Sequence, residues 1–372
     1  MFGNPESKPS ILQMPFLNQL EPESLIGHFM ENPPKGFRAQ FSPDGIPAFT
    51  ANFDALTTVD APVRRRVQGW PLYRFWSRLL QLRTCFIGTT VSEYVWLPAQ
   101  VEPHELARRL RSRGGRDCSL LVVKDLPCAS PLLDASANAY SAAFEIACRR
   151  EGFVLLEGQA LAWVSVDFAT TDEYLARLSP GRRRDIRRKL RSREALDITV
   201  VPTGSAIFLD QPSLDRFHAL YLQVHAQSEI HFDLLSAEFF AGVLRDSTSG
   251  GVVFVYEVQG RMIGWNLCFE HAGMLVDKYI GLDYAASRQH NLYVVSWMEN
   301  LEYARRRGLS HYVAGWTDPA IKVQLGAQLT MTQHAVRPRN ALLRWLLRRI
   351  SSHFESDRSW MEARRTDAAN HS

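Results

Sequence analysis

The sequence predicts an α/β (α+β) fold of two tandem units, each a mixed central sheet flanked by helices. The segment from Met274 to Ala327 carries the first sign: strand, polar loop, amphipathic helix, strand, then a Lys-x-x-Leu-Gly-Ala turn. An echo in the first half is the second. LLVVKDLP precedes a helix ending CRREG and a strand FVLLEG, as MLVDKYIGLD precedes a helix ending ARRRG and a strand LSHYVAG. Gly152 and Gly308 close the two helices 156 positions apart, and Gly158 and Gly315 follow 157 apart, the near-constant offset of a duplication. The third is length, since 372 residues suit two domains of ordinary size. The expected division is a loosely ordered segment 1–35, a first unit 36–168, a second unit 169–358 and a tail 359–372.

The elements follow in order. Six prolines before residue 35 leave room for one short helix near Glu23–Glu31. FRAQFSPDGIPAFTANFD reads as strands broken by the Asp44-Gly45 turn, and TCFIGTTVSEYVWL, β-branched and aromatic, as strand. PHELARRLRSRGG is a short basic helix stopped by Gly114 and Gly115. Leu120–Pro127 suits a buried strand. Asp134–Glu151 is a helix with Tyr140, Phe144, Ala147 and Cys148 on one face, and FVLLEGQALAWVSVDF is the next strand. Thr170 and Glu173 form a capping box, and Ser179-Pro180 restarts a helix. DITVVPTG is a strand, Leu214–Gln227 and Ser236–Arg245 are helices, and VVFVYEVQGRMIGWNLCFE is a hairpin about Gln259-Gly260. After the Met274–Ala327 segment come a strand at Thr330–Val336 and a helix at Ala341–Phe354.

Composition excludes several classes. Hydrophobic residues at 46% and charged residues at 22% are ordinary for a globular protein, and a net charge of +4 does not by itself imply nucleic acid. Five dispersed cysteines without C-x-x-C argue for a reducing compartment and against a disulfide framework or a zinc site. No secretory signal and no apolar run of spanning length is read, so the expectation is a cytoplasmic protein without integral membrane association or metal. G-x-S-x-G, Walker A, G-x-G-x-x-G and H-E-x-x-H are missing, which sets aside hydrolase, nucleotide triphosphatase and dinucleotide readings.

Five places carry chemistry. Asp277 and Lys278 lie in an apolar strand, where charge costs free energy unless paired or at an open end. By alternation Leu275, Asp277 and Tyr279 share one face, and Val276, Lys278 and Ile280 the other. Either the charges pair structurally, or Asp277 orients or deprotonates an attacking amine, which asks for a pKa raised by burial. The loop Ala285–Asn291 feeds a helix N-terminus suited to an anion, but it has no glycine for close approach. Around Lys322, Asp318 or Thr317 would cap a helix, Pro319 would start it and Gly326 would end it. That leaves Lys322 to face a developing oxyanion or a donor phosphate. Arg182–Arg193 has eight basic residues against Asp185, with Ile186 and Leu190 as a narrow apolar stripe. It is either a solvated interdomain helix or a dock for a phosphate-rich ligand, an RNA or an acidic membrane surface. Gln227–Asp233, with His225, is an ionisable loop in which His231 and Asp233 would contact substrate.

From about Phe168 to Val336 these residues resemble the GNAT-type acyltransferases, and more closely their FemAB-like, duplicated-domain relatives. The resemblance rests on the basic helix RRRDIRRKLRS, the strand–loop–helix–strand order from Met274 to Trp316, and the K-x-x-L-G-A turn at Lys322–Ala327. It implies direct acyl transfer to an amine, with the donor arm lying in a splay between Met274–Asp283 and Leu309–Trp316. Asp277 and Lys322 would then be catalytic. Lys278, Arg288, Gln289 and Asn291 would meet the donor, and His231, Asp233, Trp316 and Asp318 the acceptor, a small-molecule amine. The leading expectation is an N-acyltransferase using acyl-CoA or acetyl-CoA as co-substrate. The first alternative is FemAB-like aminoacyl transfer from aminoacyl-tRNA, held at the 182–193 helix, to a cell-wall precursor. Arg288-Gln289-His290-Asn291 departs from the Gly-x-Gly or Gly-x-Ala of acetyl-CoA sites. The second alternative is an inactive ligand- or partner-binding relative.

Overall fold

The computed structural model describes residues 15–54, 81–113, 117–228 and 232–350. In the first half, β1 (Phe16–Leu17) and α1 (Glu23–Glu31) precede the hairpin of β2 (Arg38–Phe41) and β3 (Pro47–Asp54). Gly45 makes the turn between them at φ 73°, a conformation glycine adopts without steric cost. β4 (Gln81–Ile87), β5 (Leu97–Pro98), α2 (Pro103–Arg113), β6 (Leu120–Pro127), α3 (Ala135–Arg150) and β7 (Val154–Ser165) complete this half. The second half runs α4 (Thr171–Ala176), α5 (Pro180–Leu190), β8 (Asp197–Pro202), α6 (Gln211–Gln227), α7 (Ala237–Arg245), β9 (Gly251–Val258), β10 (Arg261–His271) and β11 (Met274–Leu282). It ends with α8 (Tyr284–Gln289), α9 (Leu292–Arg306), β12 (His311–Gly315), α10 (Pro319–Gln324), β13 (Gln328–Pro338) and α11 (Ala341–Ile350).

Among the described residues, eleven strands form one sheet in the order β2-β3-β4-β6-β13-β7-β12-β11-β10-β9-β8. Two neighbouring pairs are parallel, β4 with β6 and β11 with β12. About the β13–β7 boundary the order is symmetric apart from the outermost strand β8, which has no counterpart. β7 leaves the first half to pair with β12, while β13 returns from the second half to lie between β6 and β7. The mixed sheets of the two halves are thus fused edge to edge, and the expected boundary at 168–169 falls in the connection from β7 to α4.

This topology corrects the register of the internal echo. The echo equates β6 with β11, whereas the sheet order places β6 opposite β12 and β4 opposite β11. Strand–helix–strand units share a pattern wherever they occur, so the local match slipped by one strand.

The strands alternate sides. Val253, Val255, Leu267 and Phe269 pack with Phe49 and Phe86 of the first half under α1, α6 and α7. Phe254, Tyr256 and Cys268 pack on the opposite side with α4, α5 and α9. Residues 15–35 are not loosely ordered. Leu20, Leu25, Ile26 and Phe29 are buried, and α1 packs beside α7, because the prolines flank an amphipathic helix instead of interrupting it. The expected strand from Thr84 to Leu97 also divides: β4 ends at Ile87, Gly88 turns at φ 110°, and residues 88–96 leave the sheet. Gly114, Gly115, the helix extension beyond Ile350, and the tail 359–372 lie outside the described residues.

Candidate functional site

The parallel pairing of β11 and β12 begins at Met274–His311 and ends at Val276–Val313, although both strands continue. Past that point the seam opens over a cavity of about 170 Å³ lined by Glu93, Asp277, Lys278, Tyr279, Trp316 and Lys322, among others. Asp277, Lys278, Tyr279 and Ile280 all keep intermediate exposure, yet the Lys278 side chain is only 6% exposed. The exposure at Lys278 is therefore on its main chain, along the open edge.

A β-bulge aims the side chains. Tyr279 pairs with Leu267 and Asp277 with Cys268, so Lys278 is the extra residue. The bulge overturns the expected alternation. Leu275, Asp277 and Ile280 point toward α9, whereas Tyr279 packs on Phe239 and Phe240 of α7 and Lys278 reaches Glu21 and Glu93.

The Asp277 carboxylate ends a chain of buried hydrogen bonds. Tyr312 Oη donates to its Oδ2 at 2.8 Å and Asn300 Nδ2 at 3.2 Å. Asn300 in turn accepts from Asn266 at 3.1 Å, and Asn266 from Tyr256 at 2.8 Å. Burial raises the Asp277 pKa to about 6, while the Tyr312 hydroxyl and the Lys322 charge act against the rise.

Lys322 comes from α10, whose start is set by Asp318 at the N-cap and Pro319 inside the first turn. Asp318 takes a left-handed φ of 51° and offers no side-chain cap. The helix stops at Gln324, and Gly326 just beyond it turns the chain at φ 108°. Lys322 is buried, donates to Ala314 O at 2.5 Å, and has its pKa lowered to about 8 by burial, against the pull of Asp277, Glu93 and Asp318. An ammonium and a carboxylate thus share the cavity wall.

The other expected residues are placed as follows. Trp316 lines the cavity and meets the Tyr94 ring edge-on at 6.4 Å. Asp318 is exposed and outside the cavity lining. Asp233 is desolvated, which raises its pKa, and interacts with Thr90 of the cavity lining. His231 lies outside the described residues.

The expected donor contacts are not brought together. Lys278 is not a free cation for a donor, because Glu21 Oε1 at 3.1 Å and Glu93 Oε1 at 2.5 Å hold it. The loop Ala285–Asn291 is largely helical, as α8, because Asp283 caps it by accepting from Ala286 N at 3.2 Å. Arg288 and Gln289 are exposed on α8, with Arg288 over the Tyr284 ring at 5.9 Å. Asn291 donates to Ser192 Oγ at 2.9 Å. The N-terminus expected to meet a pyrophosphate is that of α9, where Asn291 is the N-cap at a left-handed φ of 50° and makes no side-chain cap.

Sequence reasoning missed Glu21 and Glu93. Glu93 is a lone carboxylate in an apolar run beside the buried Tyr94, whereas Glu21, next to the buried Leu20, has Glu23 two residues on and carried no such local signal.

The basic helix α5 lies beside this site. Ile186 is buried, and Arg182 Nη1 donates to Val323 O, one residue past Lys322, at 3.4 Å. Arg187 pairs with Asp172, Arg188 and Lys189 pair with Asp185, and Arg193 with Glu299. Arg182, Arg184 and Arg191 are exposed.

The FemAB-like family, described as peptidoglycan biosynthesis/recognition, matches residues 134–371. A comparison with curated proteins finds no match. Among solved structures, L-PGS from Bacillus licheniformis is similar at 10% identity and a TM-score of 0.53, covering 89% of this chain and 97% of that one. The C-terminal domain of a putative lysylphosphatidylglycerol synthetase from Agrobacterium fabrum is similar at 12% identity and a TM-score of 0.51, covering 84% and 86%. These likenesses extend to the fold.

Proposed function

Because the chain belongs to the FemAB-like family, we propose that it transfers an aminoacyl group from aminoacyl-tRNA to an amine of a peptidoglycan precursor. The observation that carries this reading is the open seam between β11 and β12, with Asp277 and Lys322 on one cavity wall. One feature favours the RNA ester over an acyl-CoA thioester as donor: the basic helix α5 lies beside the helix that carries Lys322, with Arg182 donating to Val323 O. Among the described residues no helix is long and apolar enough to cross a membrane.

In this reading the acceptor amine attacks the carbonyl carbon of the aminoacyl ester, and Asp277 takes the proton that the nitrogen sheds. The Lys322 ammonium, with one N–H on Ala314 O, donates another to the oxygen that becomes negative in the tetrahedral intermediate. Collapse forms the amide bond and breaks the ester C–O bond. The proton returns from Asp277 to the departing ribose oxygen.

The test offers the enzyme a muramyl-pentapeptide precursor with either a labelled aminoacyl-tRNA mixture or labelled acetyl-CoA. Label should move from tRNA to the precursor, and tRNA binding should weaken steeply with salt. Transfer from acetyl-CoA, with none from charged tRNA, would overturn the donor assignment.

A further inference from the structure

One wall of the cavity takes no part in that transfer. Lys278 is clasped there between Glu21 and Glu93, whose side chains are 0% and 2% exposed. Each carboxylate accepts from Lys278 through its Oε1, and Glu21 Oε1 also accepts from the Glu93 N–H. The second oxygens, Glu21 Oε2 and Glu93 Oε2, are buried without a hydrogen-bond partner, as is the Tyr279 hydroxyl. Glu93 and Tyr279 both line the cavity. Leaving a charged acceptor unsatisfied costs more than leaving a neutral one, so this wall is built for something that donates.

Charge points the same way. Glu21, Glu93 and Asp277 face Lys278 and Lys322, three carboxylates against two ammoniums in one buried region. The protein relieves part of the surplus itself: burial raises the Glu21 pKa to about 7, with the Glu93 charge adding to the rise and Lys278 opposing it. A cationic ligand would neutralise the remainder. Among the described residues no group of three or more His, Cys, Asp or Glu side chains is placed to hold a metal ion, whereas an ammonium offers several N–H donors to a carboxylate oxygen and a neighbouring phenol.

We propose that this wall holds the α-ammonium of the donor's aminoacyl group, with Glu93 Oε2 as acceptor and the Tyr279 hydroxyl beside it. The assignment rests on the aminoacyl-tRNA reading above and deepens it. The attacking amine must be neutral, so the group held as an ammonium is the spectator nitrogen of the donor. The two nitrogens are thereby sorted, the donor's to Glu93 and the acceptor's to Asp277. An acyl group without an amine leaves Glu93 Oε2 unsatisfied, which makes the wall a filter for aminoacyl over simple acyl donors.

The experiment uses an acceptor-stem RNA hairpin carrying alanine or lysine through a non-hydrolysable 3′-amide, and the same hairpins with the α-amine acetylated. Binding is read by titration calorimetry on the full chain. The free-amine forms should bind at least tenfold more tightly than the acetylated ones. In Glu93→Gln the preference should collapse to the affinity of the acetylated forms, and Tyr279→Phe should reduce it. Equal affinity of the two forms for the wild-type protein overturns the ammonium site and leaves the donor reading standing. Binding of acetyl-CoA with no binding of either hairpin overturns both. The wild-type comparison needs no variant, so a poorly folded Glu93→Gln cannot mask the result.

Discussion

Asp277 and Lys322 set opposite limits on one pH window. Burial lifts the Asp277 pKa to about 6, so the carboxylate is ready to accept a proton only above that pH. Burial lowers the Lys322 pKa to about 8, so the ammonium is present only below that. In the proposed mechanism kcat/KM rises through pH about 6 and falls beyond about 8. Asp277→Asn should lower turnover by ~10²–10⁴-fold and erase the acidic limb, and Lys322→Met should erase the alkaline limb. A profile unchanged in either variant removes that residue from the chemistry. For stability the sign is reversed. A folded pKa above the unfolded one means that ionised Asp277 costs stability at pH 7 and costs nothing below the unfolded pKa, so Asp277→Asn removes this penalty, and thermal melts should separate loss of activity from loss of fold. Asp277 and Lys322 were legible because each is a charge inside an apolar run. The partners of Lys278 were not, since Glu21 and Glu93 lie 257 and 185 positions away and no local pattern links them.

At the scale of the element, Lys322 is only as well placed as the short helix that carries it. α10 is followed by Gly326, where φ is 108° and an added Cβ would lie 2.6 Å from the Tyr174 hydroxyl. That hydroxyl donates to Leu325 O, so the close approach of α4 holds the end of α10. Gly326→Ala should therefore cost ~1–3 kcal/mol in strained backbone and also push α10 away from Ala314. The expected readout is a lowered thermal midpoint together with a shifted alkaline limb. Gly308→Ala, also at positive φ but with nothing within 4 Å of the new Cβ, should lower stability without moving the pH profile. If both variants behave alike, Tyr174 does not position α10. Hydrophobic periodicity, caps and turn residues made most helices and strands legible, down to the Gln259-Gly260 hairpin turn. The bulge at Lys278 was not, because a bulge is a relation between two strands and β11 alone reads as plain alternation.

For the whole molecule, the exchange of β7 and β13 decides whether the halves are separable. The repeat was legible as strand and helix order, but the exchange depends on which edges meet, and that information is spread over the chain. β13 has both of its sheet neighbours, β6 and β7, in the first half, and β12 draws one of its two partners from there. Cutting the chain between residues 168 and 169 would strip β13 of every ladder hydrogen bond and expose the apolar edge of β12, the type of edge that drives aggregation. The core beneath α6 and α7 would also lose Phe49 and Phe86. The fragment 169–372 alone should then show no cooperative urea transition and should aggregate, whereas co-expression with 1–168 should restore one transition and tRNA binding. The intact chain should unfold in a single step by both tryptophan fluorescence and circular dichroism. A soluble 169–372 fragment with its own cooperative transition would mean that the halves are independent folding units joined at an edge. Asp277 and Lys322 would then stand on one unit and Glu21 and Glu93 on the other, so the cavity would be complete only where the two units join.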